Sequence, residues 1–152
     1  MELKKEIKIK NRKARFNYEL LESFTAGLQL QGTEIKSIRM GKASIAEAFC
    51  EIKNGEAYVV NMHIDEYNWG THGNHKIKRE RKLLLKKEEL KKLEKKTQDV
   101  GVTIIPTLLF INNRGLAKLN ISIAKGKKLF DKRNSIKEKD LKRDVQRIQK
   151  NF

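Results

Sequence analysis

The sequence predicts a mainly β fold with short helices, on three observations. Asn54-Gly55 sits between two short runs rich in apolar and β-branched residues, a pattern that marks a tight β-hairpin. Leu119, Ile121 and Ile123 alternate with Lys118, Asn120 and Ser122, the period-two signature of a strand with one core face and one wet face. Helical spacing is confined to short stretches around residues 33–40 and 86–98 and to the C-terminal end.

Taken in order, residues 1–13 are mostly charged, with Ile7 and Ile9 set between lysines. They suit a short edge strand, or a mobile arm over residues 1–10. Residues 16–30 carry Tyr18, Leu20, Leu21, Phe24, Leu28 and Leu30, interrupted by Gly27. That reads as two strands, or one long strand bent at the glycine. Residues 32–41 enclose a short amphipathic helix with Ile35 and Ile38 on one side and Thr33 as the candidate N-cap. Residues 68–80 have no period and read as a long, mobile loop. Residues 86–98 form a solvated surface helix with Leu90 and Leu93 on one face. Two further β segments, 102–111 and 116–124, are joined by the turn 112–115, and Pro106 belongs at an edge or a bulge.

From Gly126 onward the character changes. Ser135 and Glu138 have capping-box spacing, and Leu141, Val145, Ile148 and Phe152 form a narrow helical stripe on a charged segment. So narrow a stripe predicts a tail that becomes helical only conditionally. The whole predicts an OB-like closed antiparallel β-barrel over residues 1–126, followed by a basic tail over 127–152.

The chain has 35 Lys and Arg against 19 Asp and Glu, a net charge of +16 over 152 residues. Residues 1–15 carry a net +5, residues 76–96 a net +7 and residues 125–152 a net +7, so the remainder is slightly acidic. Excess of one sign gathered into segments is the footprint of a polyanion binder. No acylation motif and no apolar stretch approaching ~20 residues argues for a membrane. The single cysteine, Cys50, allows no internal disulfide, and the start Met1-Glu2-Leu3-Lys4-Lys5 has no signal-peptide pattern, so a cytoplasmic location is expected.

Catalytic chemistry finds little support. His63, His72 and His75 include a single close pair with no cysteine nearby, too few ligands for a metal site. Glu34, Glu47, Glu51, Asp65 and Glu66 show no spacing that would converge on magnesium for a nuclease. Gly126-Lys127-Lys128 lacks the other residues of a phosphate-binding loop. The expectation is therefore a monomeric RNA-binding protein with no catalytic residue, cofactor or metal. Asn11, Arg15, Asn17 and Tyr18 mix cations, amides and an aromatic ring within eight residues, the groups that read RNA by shape and stacking. Tyr18 fits a core position equally well. Glu34, beside Lys36 and Arg39, suits a group that orients a basic side chain or accepts from a base, and equally a bystander.

Several blocks together carry a family resemblance. They are Asn11-Arg12-Lys13-Ala14-Arg15 with Tyr18; Ala26-Gly27-Leu28 and Leu30; Gly32-Thr33-Glu34-Ile35-Lys36-Ser37-Ile38-Arg39 with Gly41-Lys42; Asn54-Gly55-Glu56-Ala57; Arg81-Lys82-Leu83-Leu84-Leu85; and Ala124-Lys125-Gly126-Lys127-Lys128 with Asp131-Lys132-Arg133. In this order and spacing the chain resembles the small protein B family, the tmRNA-binding proteins of bacterial trans-translation. The resemblance implies an OB-like barrel that binds the tRNA-like domain of tmRNA and escorts it to stalled ribosomes. It implies RNA contacts from Asn11, Arg15, Tyr18, Lys36, Arg39, Lys42, Lys82 and Lys125, with Glu34 orienting them. It implies that Lys127, Lys128, Asp131, Lys132, Arg133 and the tail engage the decoding region and the mRNA channel. Thr25, Lys86 and Phe130 depart from the residues common in the family, and the loop before Lys76 lacks its usual proline. The alternative is another OB-type protein of translation or ribosome assembly that binds ribosomal RNA.

Overall fold

The computed structural model describes residues 6–69 and 73–127. The elements run β1 (Lys8–Lys10), α1 (Ala14–Asn17), β2 (Tyr18–Leu28), α2 (Gly32–Arg39), β3 (Ala43–Ser44), β4 (Phe49–Lys53) and β5 (Glu56–Val60). They continue with β6 (His63–Ile64), β7 (Arg81–Leu84), α3 (Lys87–Lys96), β8 (Val102–Ile111) and β9 (Ala117–Gly126). The fold is mainly β with short helices, as expected. Seven strands form one sheet in the order β1-β8-β4-β5-β7-β2-β9, and β8 also pairs with β9, so the pairing returns on itself through six strands. β3 and β6 make a separate two-stranded pair. No helix among the described residues is long and apolar enough to cross a membrane.

The hairpin forms as its turn residues dictate. Asn54 (φ 51°) and Gly55 (φ 76°) both take positive φ, and Lys53 pairs with Glu56 across the turn. Of the two readings for the N-terminal segment, the edge strand holds over Lys8–Lys10, which pair with Phe110, Leu109 and Leu108 of β8. Pro106 lies in β8, between the strands flanking it, and is tolerated by an irregularity in register between Pro106 and Leu108. The carbonyl groups freed there are taken up by Asn11: its Nδ2 donates to the Pro106 oxygen (3.0 Å) and its backbone N–H to that of Thr107 (3.0 Å).

Four expectations are corrected. β2 is one strand whose register breaks between Leu20 and Ser23, not at Gly27. Gly27 serves close approach instead, since a Cβ there would meet the Leu84 Cβ at 3.2 Å. Ser122, expected on a wet face, is fully buried. Its hydroxyl donates to the Glu22 carbonyl (3.2 Å), which the β2 irregularity leaves outside the ladder, and Ala14, Ile105 and Ala124 form a second small apolar cluster on this outer side. The N-cap of α2 is Gln31, whose backbone is extended, rather than Thr33. Finally, residues 73–80 are irregular but not loose. Asn74 bonds the backbone of Tyr67 both ways (2.9 and 3.3 Å), and His75 is 3% exposed. The Ile64 carbonyl can only accept, so His75 Nε2 donates to it (2.9 Å), leaving Nδ1 to accept from the Thr33 hydroxyl (2.9 Å). His72 and the capped tail helix lie outside the described residues.

The main core gathers Ile38, Ile45, Met62, Ile64, Leu83, Ile104, Leu109, Leu119, Ile121 and Ile123. α3 is almost wholly solvated and inserts one fully buried side chain, Leu93, with Leu90 half-buried beside it. Leu93→Ala should therefore destabilise the protein by about 2–5 kcal/mol, read as a fall in the denaturation midpoint. Lys91→Ala on the exposed side should change it by less than about 0.5 kcal/mol.

Candidate nucleic-acid interface

The interface begins with a buried charge. α2 presents Glu34, Ser37 and Ile38 to the interior and Lys36 and Arg39 to solvent, as helical spacing requires. Glu34 is completely buried. One carboxylate oxygen accepts from the Gln31 backbone N–H (2.8 Å) and from Arg79 Nη2 (2.6 Å), while the other accepts from Arg81 Nε. Arg81, also fully buried, donates onward to the Met62 carbonyl (2.6 Å) and the Ile77 carbonyl (3.1 Å). Burial pushes the Glu34 carboxyl up, but the bonds from Arg79, Gln31 and Arg81 outweigh it and hold the group below its ordinary value of 4.5. Glu34 thus orients basic groups, but they are Arg79 and Arg81 rather than Lys36 and Arg39, and it cannot itself face a ligand. Arg81, at the head of a block implied to touch RNA, is likewise internal.

Above this joint the surface is cationic. Arg39 reaches the Gly115 carbonyl (3.4 Å) across an open groove of about 370 Å³ whose floor includes Gly27, Leu84 and Leu116. Lys118 closes its other side and also borders a second groove that contains Lys82. Lys36 lies over the Tyr67 ring, 5.4 Å from its centre. Lys42 follows at the end of α2. Lys82 is 3.6 Å from Glu56, so its charge is partly spent within the protein. Of the two departures from the family pattern on this side, Thr25 makes a side-chain bond, whereas Lys86 acts through its backbone and its lysine side chain has no structural explanation. Thr25 donates to Asn120 across the β2–β9 ladder (2.8 Å), and the Lys86 backbone N–H donates to Glu89, capping α3 (3.0 Å).

The remaining predicted residues gather elsewhere. Tyr18 pairs with Gly126 and Gly27 with Lys118, so the nine-residue step along β2 separates the two ends by about 30 Å at ~3.3 Å per residue. At the Tyr18 end, Asn11, Lys13, Asn17 and Tyr18 line a cleft of about 470 Å³, with Glu47 on its rim. Arg15 is exposed on α1, Lys125 is exposed opposite Glu19, and the Lys127 N–H donates to the Asn17 carbonyl (3.0 Å). Tyr18 is half-buried against the second apolar cluster, which leaves part of its ring accessible. Asn11 spends its Nδ2 on the Pro106 carbonyl, and its Oδ1 is buried without a partner among the described residues. Arg15, Lys36, Arg39, Lys42, Lys118 and Lys125 have no ion-pair partner among the described residues, which leaves them available to an external anion. Lys128, Asp131, Lys132 and Arg133 lie outside the described residues. Among the described residues no group of three His, Cys, Asp or Glu is placed to hold a metal.

Sequence reasoning missed Lys118, because an alternating strand lysine looks like ordinary solvated surface. It also missed the inward turn of Arg79 and Arg81, for which the signal was a basic pair two residues apart in one strand direction, with a carboxylate on a neighbouring helix. The joint makes a prediction. Glu34→Ala, which strands Arg81 without its counter-ion, should cost about 3–5 kcal/mol by chemical denaturation at neutral pH. Because the folded Glu34 pKa lies below 4.5, its contribution is complete above that value and is lost as pH falls through the lowered one. The stability difference between wild type and Glu34→Gln should accordingly shrink on titration to about pH 2.

Comparison with known proteins is consistent along nearly the whole chain. The family model described as SmpB protein matches residues 8–151. An SsrA-binding protein of Christiangramia forsetii is 60% identical over 150 residues, covering 99% of this chain and 96% of its own. An SsrA-binding protein of Flavobacterium psychrophilum is 57% identical, covering 97% and 99%, and one of Bacteroides thetaiotaomicron is 55% identical, covering 93% and 95%. A chain from the solved structure described as "tmRNA-SmpB: a journey to the center of the bacterial ribosome" superposes with a TM-score of 0.69. It is 41% identical and covers 81% of this chain and 86% of that one. With a family model spanning all but the first seven residues and the last, this chain belongs to the SmpB protein family.

Proposed function

We propose that this protein binds the tRNA-like domain of tmRNA and delivers it to stalled ribosomes for trans-translation, acting in the cytoplasm by binding alone. The observation that carries the reading is the separation of two cationic ends on one scaffold. A factor that must hold an RNA and also seat it in a ribosome needs two polyanion-binding surfaces that do not compete. The strand ring serves as an OB-like barrel that keeps them apart.

The α2 end, with Arg39 and Lys118 on the apolar groove, Lys82 on the neighbouring one, and Lys36 and Lys42 on and just after α2, takes the tmRNA. Its cations, all but Lys82 without an ion-pair partner among the described residues, and its exposed Leu84 and Leu116 suit a folded RNA read by contour. The α1 end, with Asn11, Arg15, Tyr18, Lys125 and Lys127, is where the chain leads into residues 128–152. In this reading Asn11, Arg15, Tyr18 and Lys125, which the family resemblance assigns to tmRNA, face the ribosome with Lys127, while Lys128, Asp131, Lys132, Arg133 and the tail work in the decoding region and the mRNA channel.

Stopping the chain after Lys127, beyond the last β9 pair, should leave tmRNA affinity within about twofold while abolishing tagging of incomplete proteins in a reconstituted translation system. Equal loss of both would contradict the division. Lys36→Ala with Arg39→Ala should weaken tmRNA binding in a gel shift. It should also reduce the log–log salt slope by about 0.9 for each phosphate contact removed, if the duplex-DNA figure carries over. Preference for ribosomal RNA fragments over tmRNA in the same assay would favour a ribosomal-RNA-binding role instead.

A further inference from the structure

The chain's one tryptophan is out of place for a soluble domain with no further task. Trp69 is 56% exposed, among the most exposed large apolar side chains among the described residues. It does not stand alone. The Tyr67 ring lies 5.5 Å from it, tilted by 51°, and Lys36 lies over the other ring of the pair. Two rings set at an angle, with a cation over one of them, form a polarisable and positive surface beside α2.

The cluster is also held still. Asn74 clamps the Tyr67 backbone from both sides, and His75 locks the neighbouring chain to Ile64 and to Thr33 of α2. Of the two carboxylates just before Tyr67, Asp65 is engaged by His63 (2.7 Å) and Glu66 is exposed. A Trp that merely filled space would sit over apolar neighbours. This one is exposed, two residues beyond a Tyr67 backbone that Asn74 holds from both sides.

We propose that Trp69, backed by Tyr67 and Lys36, is a stacking site for an unpaired base of the tmRNA bound at the α2 end. The inference rests on the function proposed above and adds a subsite to it. Aromatic side chains bind splayed bases through their faces without needing a particular sequence, and a cation beside the ring draws in the adjoining phosphate. Asn74 and His75 are positioning residues for the site.

The test uses the full chain and the isolated tRNA-like domain of tmRNA. Because Trp69 is the only tryptophan, its fluorescence reports the site directly, and stacking of a base should quench it in step with binding. Trp69→Ala should weaken binding on the order of tenfold, and Trp69→Phe should restore most of it. A substitution at so exposed a position should leave the melting temperature unchanged, and if it does not, the wild-type quenching still decides. Full-affinity binding with unquenched Trp69 and an unaffected Trp69→Ala variant would overturn the inference and leave the proposed function standing. Quenching by ribosomes but not by tmRNA would overturn it too. Failure of the wild type to bind tmRNA at all would remove the function and the inference together.

Discussion

A carboxylate sealed inside a protein is tolerated only when its charge is met, and in this protein that condition organises one half of the molecule. Glu34 enters the interior from the first turn of α2, caps its own helix through Gln31, and finds Arg79 and Arg81 approaching from β7 and the segment before it. Arg81 in turn satisfies carbonyl groups at Met62 and Ile77, so helix, strand and loop are tied through one side chain. The exposed faces follow from this. With Glu34, Ser37 and Ile38 pointing in, helical geometry leaves Lys36 and Arg39 pointing out, Arg39 onto the groove beside the β8–β9 turn and Lys36 over the Tyr67 ring.

The long strand β2 supplies the second constraint. It begins beside α1 and the start of the basic tail and ends beside α2, so residues that seem to form one basic surface in the sequence are divided between two ends of the fold. Its close neighbours set the details. Gly27 lets Leu84 approach, the irregularity near Leu20 is sealed by Ser122, and Asn11 closes the break that Pro106 opens in β8. Several side chains that look like RNA-reading groups therefore have structural duties as well, and Asn11 is the clearest case.

Local chemistry made the hairpin, the two longer helices and the β8–β9 pair legible in the sequence, because Asn54-Gly55 and the period of the apolar residues act over a few positions. What stayed hidden depends on distant partners. Thr33 has the residue type of a cap, yet its hydroxyl serves His75, forty-two positions away. Residues 73–80 lack any period and look loose, yet Asn74 and His75 pin them through side-chain bonds that no local pattern records. The basic run around residues 76–96 reads as one surface, whereas burial turns Arg81 inward and leaves Lys82 partly neutralised by Glu56. The family resemblance pointed to the matching blocks, but it could not say which end of β2 each block occupies.

The arrangement of two cationic ends, held apart by β2 and fixed by Glu34, is tested most directly by site-specific photocrosslinking in the complex with tmRNA and a stalled ribosome. A crosslinker at position 39 should capture tmRNA, and one at position 15 should capture ribosomal RNA. If both positions crosslink the same tmRNA segment and neither reaches the ribosome, the two-ended account is wrong.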